Sequence, residues 1–579
     1  IKGQVALKDF QCNLEGVPFP LSKIKGSIGF GDAGIEITDL TGLLGKSPVK
    51  VGGTLSRESM EVDIVTDISN GDLKSLNLLP AMVRLSKSIP LSVRLEGKPD
   101  ELRYSASLDL KKNAFRIDHW VRKRPGTPLA VEVAGTRGSA GWSIEQAYLT
   151  MGRIRVPATG KVGRTGELQL RINLPPKGIR TEHLIPFAEP SLELKPGGRI
   201  EGDVGIKAGP DWKKSPYVDA SLKLYYVTGQ IFGFYKLTSG LTGNVNLKGK
   251  KLVVYLKSVK IGNTSLSGKF SFSGYHSPRV KMDVEYSFLD FNDFTAPPGY
   301  HSNFTWGEWI RNNFALRFLA RSHGSASIRV LKGRTWKRAF SDFRTVVKAG
   351  NGFLKMDDWQ AKMAEGVIRG SAVLDIRAGT KTPMKLEFEA ERLRMERLLA
   401  ADMEEVSIKG DVRLDGQLKW NTTQRKENEG ICKTGSMNVR VRDGVIHRFD
   451  ILSKIFTLVN FGSLLRGRLP DFNTQGLPFH RLTWDMDVFL EKWKVTDLKL
   501  QSDAVRADGS GIYFRDQGRI DFRVDVSPLV GLDKLVSGIF GDLLTKNGKI
   551  LTTTFLIRGL FASPDVRLVP LESFTPTQR

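Results

Sequence analysis

The residues whose types and spacing come nearest to doing chemistry are GFGDAG, Gly29 to Gly34, which fit the G-x-G-x-x-G of a dinucleotide-binding turn. There the glycines let backbone approach a pyrophosphate, which rests on the N-terminus of the helix that follows. Here the following residues are IEITDL, a strand pattern, so the stretch reads as a hairpin turn. A second candidate, Gly45, Lys46 and Ser47, ends like a phosphate-binding loop, but Leu40 stands where the first glycine belongs and Pro48 blocks a helix interior. The seven histidines, His119, His183, His276, His301, His323, His447 and His480, never fall within four residues of one another, which excludes a zincin HExxH motif. No G-x-S-x-G nucleophile elbow occurs. Carboxylates in strands such as IDFRVDV share the outward parity, where solvation explains them better than paired acid and base catalysis. Cys12 and Cys432 are too few for a disulfide framework and too far apart for a metal knuckle. The expectation is a protein that is not an enzyme and carries no metal and no cofactor.

The elements that would have to position such residues are more informative. At 579 residues the chain exceeds one compact core, which stops growing near about 250 to 300 residues. It is therefore several domains or one array. Lys and Arg number 87 against 62 Asp and Glu, a net +25 that favours anionic partners without choosing among them. The basic residues recur along the whole chain in alternation with apolar ones, which reads first as a solvated strand face. No apolar run reaches the roughly 18 to 20 residues needed to span a bilayer.

A glycine motif recurs as IKGQV at Ile1, IKGSI at Ile24, VGGTL at Val51, ATGKV at Ala158, LSGKF at Leu266, IRGSA at Ile368 and IKGDV at Ile408. It leads strands of a larger repeat that closes on a strongly alternating segment, as in Met60, Val62 and Ile64, or Met384, Leu386 and Phe388. Period two with one apolar face marks a half-buried strand. A short amphipathic tail such as LKSLNLLP, HLIPF, FLDFNDF, LRMERLLA or PLVGLDKLV then crosses to the next repeat. Glycine inside a strand marks a bend or close backbone approach, so Gly53, Gly160, Gly268 and Gly370 are expected to curl each sheet.

The fold class expected is mainly β: an elongated array of curled antiparallel sheet units, a repeating β-groove, with a few short amphipathic helices mostly near the C-terminus. An apolar sheet face must be covered by something. A sandwich would use a second sheet and leave no lumen, which suits a structural or adhesive role. A curled sheet would instead hold an acyl ligand in its concave side. The lining residues would be Ile28, Val62, Ile64, Leu168, Leu170, Ile172, Val280, Met282, Val284, Leu374, Ile376, Leu386, Phe388, Phe522 and Val524.

Two segments break the strand pattern. Ile451, Ile455, Leu458 and Leu465, and then Leu532, Val536 and Ile539, recur at helical spacing. These amphipathic helices would either lie on a membrane surface or partner, or cap the groove. Nucleic-acid binding competes on charge and on Trp306, Trp309, Phe314 and Phe318, but no zinc finger or RNP-like stretch supports it, so nucleic acid is not an expected partner.

The stretch SDFRTVVKAGNGFLKMDDWQAKMAEGVIRGSAVLDIRAGTKTPMKLEFEAERLRMERLLA resembles the repeat of bacterial AsmA-like proteins. Residues from about 444 to 569, with VRDGVIHRFDILSKIFTLVNFGSLLRGRLPDFNTQGLPFHRLTWDMDV and FLIRGLFASPDVRLVP, resemble the AsmA-like C-terminal region. The resemblance implies β-groove repeats over 1–300, a further repeat with helical insertions over 301–440, and that C-terminal region over 441–579. It also implies a periplasmic protein of the Gram-negative envelope, carrying phospholipid or another acyl lipid between inner and outer membranes or serving outer-membrane biogenesis. Envelope proteins and the membrane surface would be its partners. The family's N-terminal membrane anchor is missing from this sequence. Ile1 already lies in a strand pattern, so the sequence reads as a mature or truncated fragment anchored through a segment not included in it.

Overall fold

Where apolar residues alternate with polar ones the chain forms strands, and successive strands pair in chain order. The computed structural model describes residues 3–13, 20–32, 34–75, 83–98, 101–117, 121–187, 193–194, 197–210, 216–230, 238–274, 277–293, 321–335, 338–375, 377, 383–399, 408–421, 433–447, 476–489, 492–514, 517–528, 545–546, 549–550, 552–561 and 563–569. The chain divides into an N-terminal unit, Ile1–Arg279, and a C-terminal unit, Val280–Arg579.

Both units are mainly β, built on open antiparallel sheet. In the N-terminal unit sixteen strands form one ladder: Gly3–Cys12, Leu21–Gly31, Gly34–Leu44, Ser47–Leu55, Met60–Ile68, Ile89–Lys98, Glu101–Asp109, Leu129–Gly138, Gly141–Met151, Ile154–Gly163, Leu168–Asn173, Arg199–Ala208, Tyr217–Gln230, Thr238–Lys248, Lys251–Ile261 and Thr264–Ser273. In the C-terminal unit thirteen do the same: His323–Thr335, Arg338–Gly350, Phe353–Met363, Gly366–Asp375, Pro383–Arg394, Ile408–Asn421, Lys433–Ile446, Leu477–Phe489, Lys492–Gln501, Val505–Phe514, Arg519–Pro528, Thr553–Leu560 and Ser563–Val569. At about 4.8 Å per strand the ladders have contours of roughly 70 Å and 60 Å. The other sheets among the described residues are small: Val83–Leu85, Phe115–Ile117 and Val121–Lys123 form one, and Thr545–Lys546 with Lys549–Ile550 the other. Neither is large enough to be the second layer of a sandwich.

The GFGDAG stretch is the hairpin joining Leu21–Gly31 to Gly34–Leu44, with Gly31 opposite Gly34. Aspartates occupy bulges along the ladders: Asp9, Asp39, Asp342 and Asp443 have φ of 58°, 47°, 52° and 47°, beside shifts of register. A short polar side chain tolerates the left-handed region that such a bulge imposes, and the bulge adds twist.

The amphipathic tails contain single helical turns. Asn70–Ser75 follows the strand Met60–Ile68, Thr181–His183 and Ile185–Phe187 follow Leu168–Asn173, Phe291–Asp293 follows Arg279–Asp290, and Met395–Leu399 follows Pro383–Arg394. The fifth tail, PLVGLDKLV, lies outside the described residues apart from its first residue. The ladders continue directly across three of these tails: Met60–Ile68 pairs with Ile89–Lys98, Leu168–Asn173 with Arg199–Ala208, and Pro383–Arg394 with Ile408–Asn421.

One tail explains the loop-like Gly45, Lys46 and Ser47. The carboxylate of Asp72, buried in the turn Asn70–Ser75, accepts hydrogen bonds from the Lys46 N–H at 3.0 Å, the Ser69 hydroxyl at 2.7 Å and the Ser47 hydroxyl. The anion this cradle holds is therefore the protein's own. The region between this turn and residue 128 is anchored by Lys123, whose buried ammonium donates to the carbonyls of Lys111, Asn113 and Arg124 at 3.1, 2.6 and 3.2 Å. Burial pushes its pKa down, against the attraction of Asp109.

Burial acts to raise the Asp72 pKa, but the hydrogen bonds from Ser47, Ser69 and Lys46 outweigh it and hold it below the ordinary 3.8. A depressed carboxylate contributes stability that is complete above 3.8 and lost as pH falls through its folded-state value. Asp72→Asn should cost about 1.5 to 3 kcal/mol near neutral pH, read by urea denaturation. That penalty should shrink on acidification below the ordinary carboxylate range.

Candidate functional site

Cross-strand register brings the predicted lining residues into continuous rows. In the N-terminal unit Leu40, Val51, Ile64, Val93, Ala106, Val133, Ala147, Ala158, Ile172, Val204, Ala220, Leu247, Leu252 and Phe272 stand opposite one another across fourteen consecutive strands. Every member is apolar, and all but Ala147 and Ala158 remain partly exposed. The next row, two residues along each strand or three where a bulge intervenes, runs Val5, Ile28, Ile37, Gly53, Val62, Leu95, Tyr104, Gly135, Ile144, Gly160, Leu170, Ile206 and Val218.

The C-terminal unit repeats the arrangement. One row crosses all thirteen strands as Ala326, Val347, Met356, Ala372, Leu386, Leu418, Gly435, Val488, Trp493, Tyr513, Ile520, Gly559 and Pro564. Beside it run Ile328, Thr345, Trp359, Gly370, Phe388, Gly416, Met437, Met486, Val495, Gly511, Phe522, Ile557 and Val566, with Thr345 the one polar member.

The rows differ in burial according to which margin of the sheet they lie near. Toward the linker turns the inner face is shut: Leu393 is 0 %, Val412 1 % and Val441 0 % exposed, in a cluster that takes in Met395 of the turn Met395–Leu399. In the N-terminal unit Leu73 of the turn Asn70–Ser75 packs likewise on Ile68 and Ile89. Away from that margin Leu354, Leu374 and Met384, mutually opposite, stay half-buried. The inner face is thus a trough with one closed wall and one open lip.

Glycines on the inner face permit the curl. A β-carbon on Gly370 would lie 2.1 Å from the Glu387 carbonyl oxygen, and one on Gly53 (φ +139°) 2.0 Å from that of Glu61. Gly160 repeats the crowding against Gln169, and Gly268 stands opposite Leu256 beside a register shift. The neighbouring backbone therefore enters space that any side chain would fill, on the apolar side. Large side chains fold over these gaps: the Trp359 ring lies where the Gly370 β-carbon would be, and the Phe388 and Met437 side chains crowd Gly416 in the same way. This is the packing by which an aromatic on one strand compensates a glycine on the next.

The opposite face is charged and self-neutralising along much of its length. Arg94 pairs with Glu61, Arg155 with Glu132, Lys348 with Asp357 and Arg394 with Asp411, each at 2.6 Å, and Arg558 with Asp521 at 3.0 Å. An open hollow of about 770 Å³ on this face is lined chiefly by polar groups including Glu387, Glu389, Asp415, Asp485, Asp487 and Arg369. It belongs to the solvated side and not to the trough. Among the described residues no group of three or more His, Cys, Asp or Glu is arranged to hold a metal ion.

Of the expected lining residues, Ile28, Val62 and Leu170 share one row and Ile64 and Ile172 the other, while Leu168 lies opposite Val162 and Ala208. Leu386 belongs to the first C-terminal row and Phe388 and Phe522 to the second. Val524, opposite Gly509 and Phe555, sits on the closed side at 7 % exposure. Val280 and Val284 are buried and Met282 partly exposed on the strand Arg279–Asp290. Ile376, Ile451, Ile455, Leu458, Leu465, Leu532, Val536 and Ile539 lie outside the described residues, as do Trp306, Trp309, Phe314 and Phe318. Trp493, Tyr513 and Leu418 complete the rows without having been expected there. Their signal was alternation within their own strands, obscured by bulges that shift parity.

No protein-family model matches the chain, and no curated protein matches it. Among the described residues no helix is long and apolar enough to cross a membrane.

Gly370→Ala should destabilise the C-terminal unit by about 1 to 3 kcal/mol, the usual cost of overpacking. Gly138→Ala, where an added β-carbon meets nothing within 4 Å, should be close to neutral in the same denaturation assay.

Proposed function

We propose that the trough holds acyl chains of phospholipid or a similar lipid and lets them move across the strands. This is the role that the resemblance to AsmA-like envelope proteins implies. The observation that supports it is the pair of apolar register rows in each unit, largely without polar interruption yet still partly open at residues such as Ile64, Leu252, Leu386 and Leu418. Side chains committed to an internal core are shut, as Leu393 and Val441 are, whereas Leu386, Leu418 and Leu252 retain accessible surface.

Burying each acyl methylene is favourable by roughly 0.8 kcal/mol, so a tail of about fourteen methylenes would gain on the order of 10 kcal/mol over water. Burial of this kind is non-directional. Successive strands offer similar apolar surface, so displacement by one strand exchanges one set of contacts for a comparable set. Headgroups would lie at the open lip. In this reading the protein works in the periplasm, in lipid transport or outer-membrane biogenesis, through geometry and without catalysing a reaction.

Lipid extraction of the purified chain followed by mass spectrometry tests the reading. Phospholipid should copurify, and Leu386→Asp combined with Leu418→Asp should lower its amount by at least about half, since charge on an acyl path is strongly disfavoured. Glu387→Ala, on the opposite face, should leave it unchanged. A folded, lipid-free wild-type protein would contradict the proposal and favour a structural role. Tight nucleic-acid binding that collapses with added salt would point to the remaining alternative.

A further inference from the structure

The charge on the outer face is unevenly distributed. Along most of the N-terminal unit cations and carboxylates alternate across strands, as in the Arg94–Glu61 and Arg155–Glu132 pairs. From Ala220 to Arg279 there is no Asp or Glu at all, against eight lysines and one arginine. The strands Tyr217–Gln230, Thr238–Lys248, Lys251–Ile261 and Thr264–Ser273 fall almost wholly in this stretch and adjoin one another in the ladder. On them Lys223, Lys248, Lys251, Lys257, Lys260 and Lys269 are all exposed. Asp219, opposite Lys248 in register, is the carboxylate at the margin of this surface.

A second feature coincides with the first. The tyrosines with the largest exposure among the described residues, Tyr217 at 47 %, Tyr226 at 71 % and Tyr255 at 41 %, lie on these same strands. Lys223, Asn244, Tyr255 and Lys269 form one outward register row, with the Lys269 ammonium 5.0 Å above the Tyr255 ring. Tyr226 stands in a bulge at φ 51° that leaves it prominent.

We propose that this lysine- and tyrosine-bearing face is a contact site for the surface of an anionic phospholipid bilayer. Lysine is a point charge on a flexible stem, suited to a fluid array of phosphates, whereas fixed bidentate reading of a phosphate uses arginine. Tyrosine rings, apolar in body and polar at the tip, favour the headgroup level. Near an anionic surface each lysine contributes attraction that falls off within a Debye length. The proposal does not depend on what the trough contains.

The test is cosedimentation of the purified chain with vesicles of equal parts phosphatidylglycerol and phosphatidylcholine, and with phosphatidylcholine alone. The wild type should bind the anionic vesicles, release them as salt is raised and ignore the neutral ones. K248E/K257E/K260E should weaken anionic-vesicle binding by about 100-fold or more, and Y226S/Y255S by a smaller factor. The control K8E/K98E/K161E makes the same change in net charge at exposed lysines elsewhere on the N-terminal unit and should bind nearly as the wild type does. Circular dichroism melting of each variant separates lost contact from lost fold, and copurifying lipid should be the same in all of them. Equal binding to neutral vesicles, equal loss in the control, or no vesicle binding by wild type would overturn the proposal. So would a single-stranded oligonucleotide that binds more tightly than vesicles and is lost through the same three lysines.

Discussion

A strand that alternates apolar with charged side chains can satisfy only one face in water, and the other must meet something apolar. Every ladder strand of this protein carries that constraint, and the chain answers it without a second sheet large enough to cover the ladder among its described residues. Curvature is what makes a single layer workable. Glycines sit on the apolar side where the next strand's backbone closes in, so the sheet can curl toward the face that avoids water. Replacing the missing β-carbons would force the strands apart and flatten the surface they enclose.

The two margins of the inner face solve the same problem in different ways. At one, helical turns between strands bring Leu73 or Met395 down onto the sheet and complete an ordinary core. At the other, apolar side chains such as Ile64, Leu252, Leu374, Leu386 and Leu418 remain half-covered. A closed core and accessible apolar surface are thereby assigned to different parts of the same strands. The outer face needs neither: its cross-strand ion pairs are largely exposed and individually contribute little, but they keep a strongly charged surface from repelling itself. Where the carboxylates stop, after Asp219, that neutralisation stops with them.

Much of this was legible in the sequence. Met60, Val62 and Ile64, or Ile520, Phe522, Val524 and Val526, lie on strands because period two is a local signal that needs no tertiary information. The close backbone approach at Gly53, Gly160 and Gly370 was legible too, because glycine inside a strand pattern marks it. Less legible was the parity along bulged strands, because a left-handed residue such as Asp39 or Asp443 moves every later side chain to the other face. Which rows would be shut and which open depends on where the linker turns fold back, a long-range outcome that alternation alone does not encode. Lys123 illustrates the limit: nothing local marks a lysine whose ammonium will be enclosed by three carbonyls. The lysine-rich outer strands were hidden differently, since a net charge averaged over 579 residues conceals a stretch from which acids are missing.

The central claim is that the apolar rows face a mobile lipid and not more protein. It is tested most directly by placing a photo-crosslinking amino acid at successive positions of paired strands, Leu386 and Leu418 on the inner parity and Glu387 and Gln417 on the outer. Irradiation in intact cells, with adducts identified by mass, should give lipid adducts at the two inner positions and none at the two outer ones. Adducts to polypeptide alone at the inner positions, or lipid adducts with no dependence on parity, would contradict it.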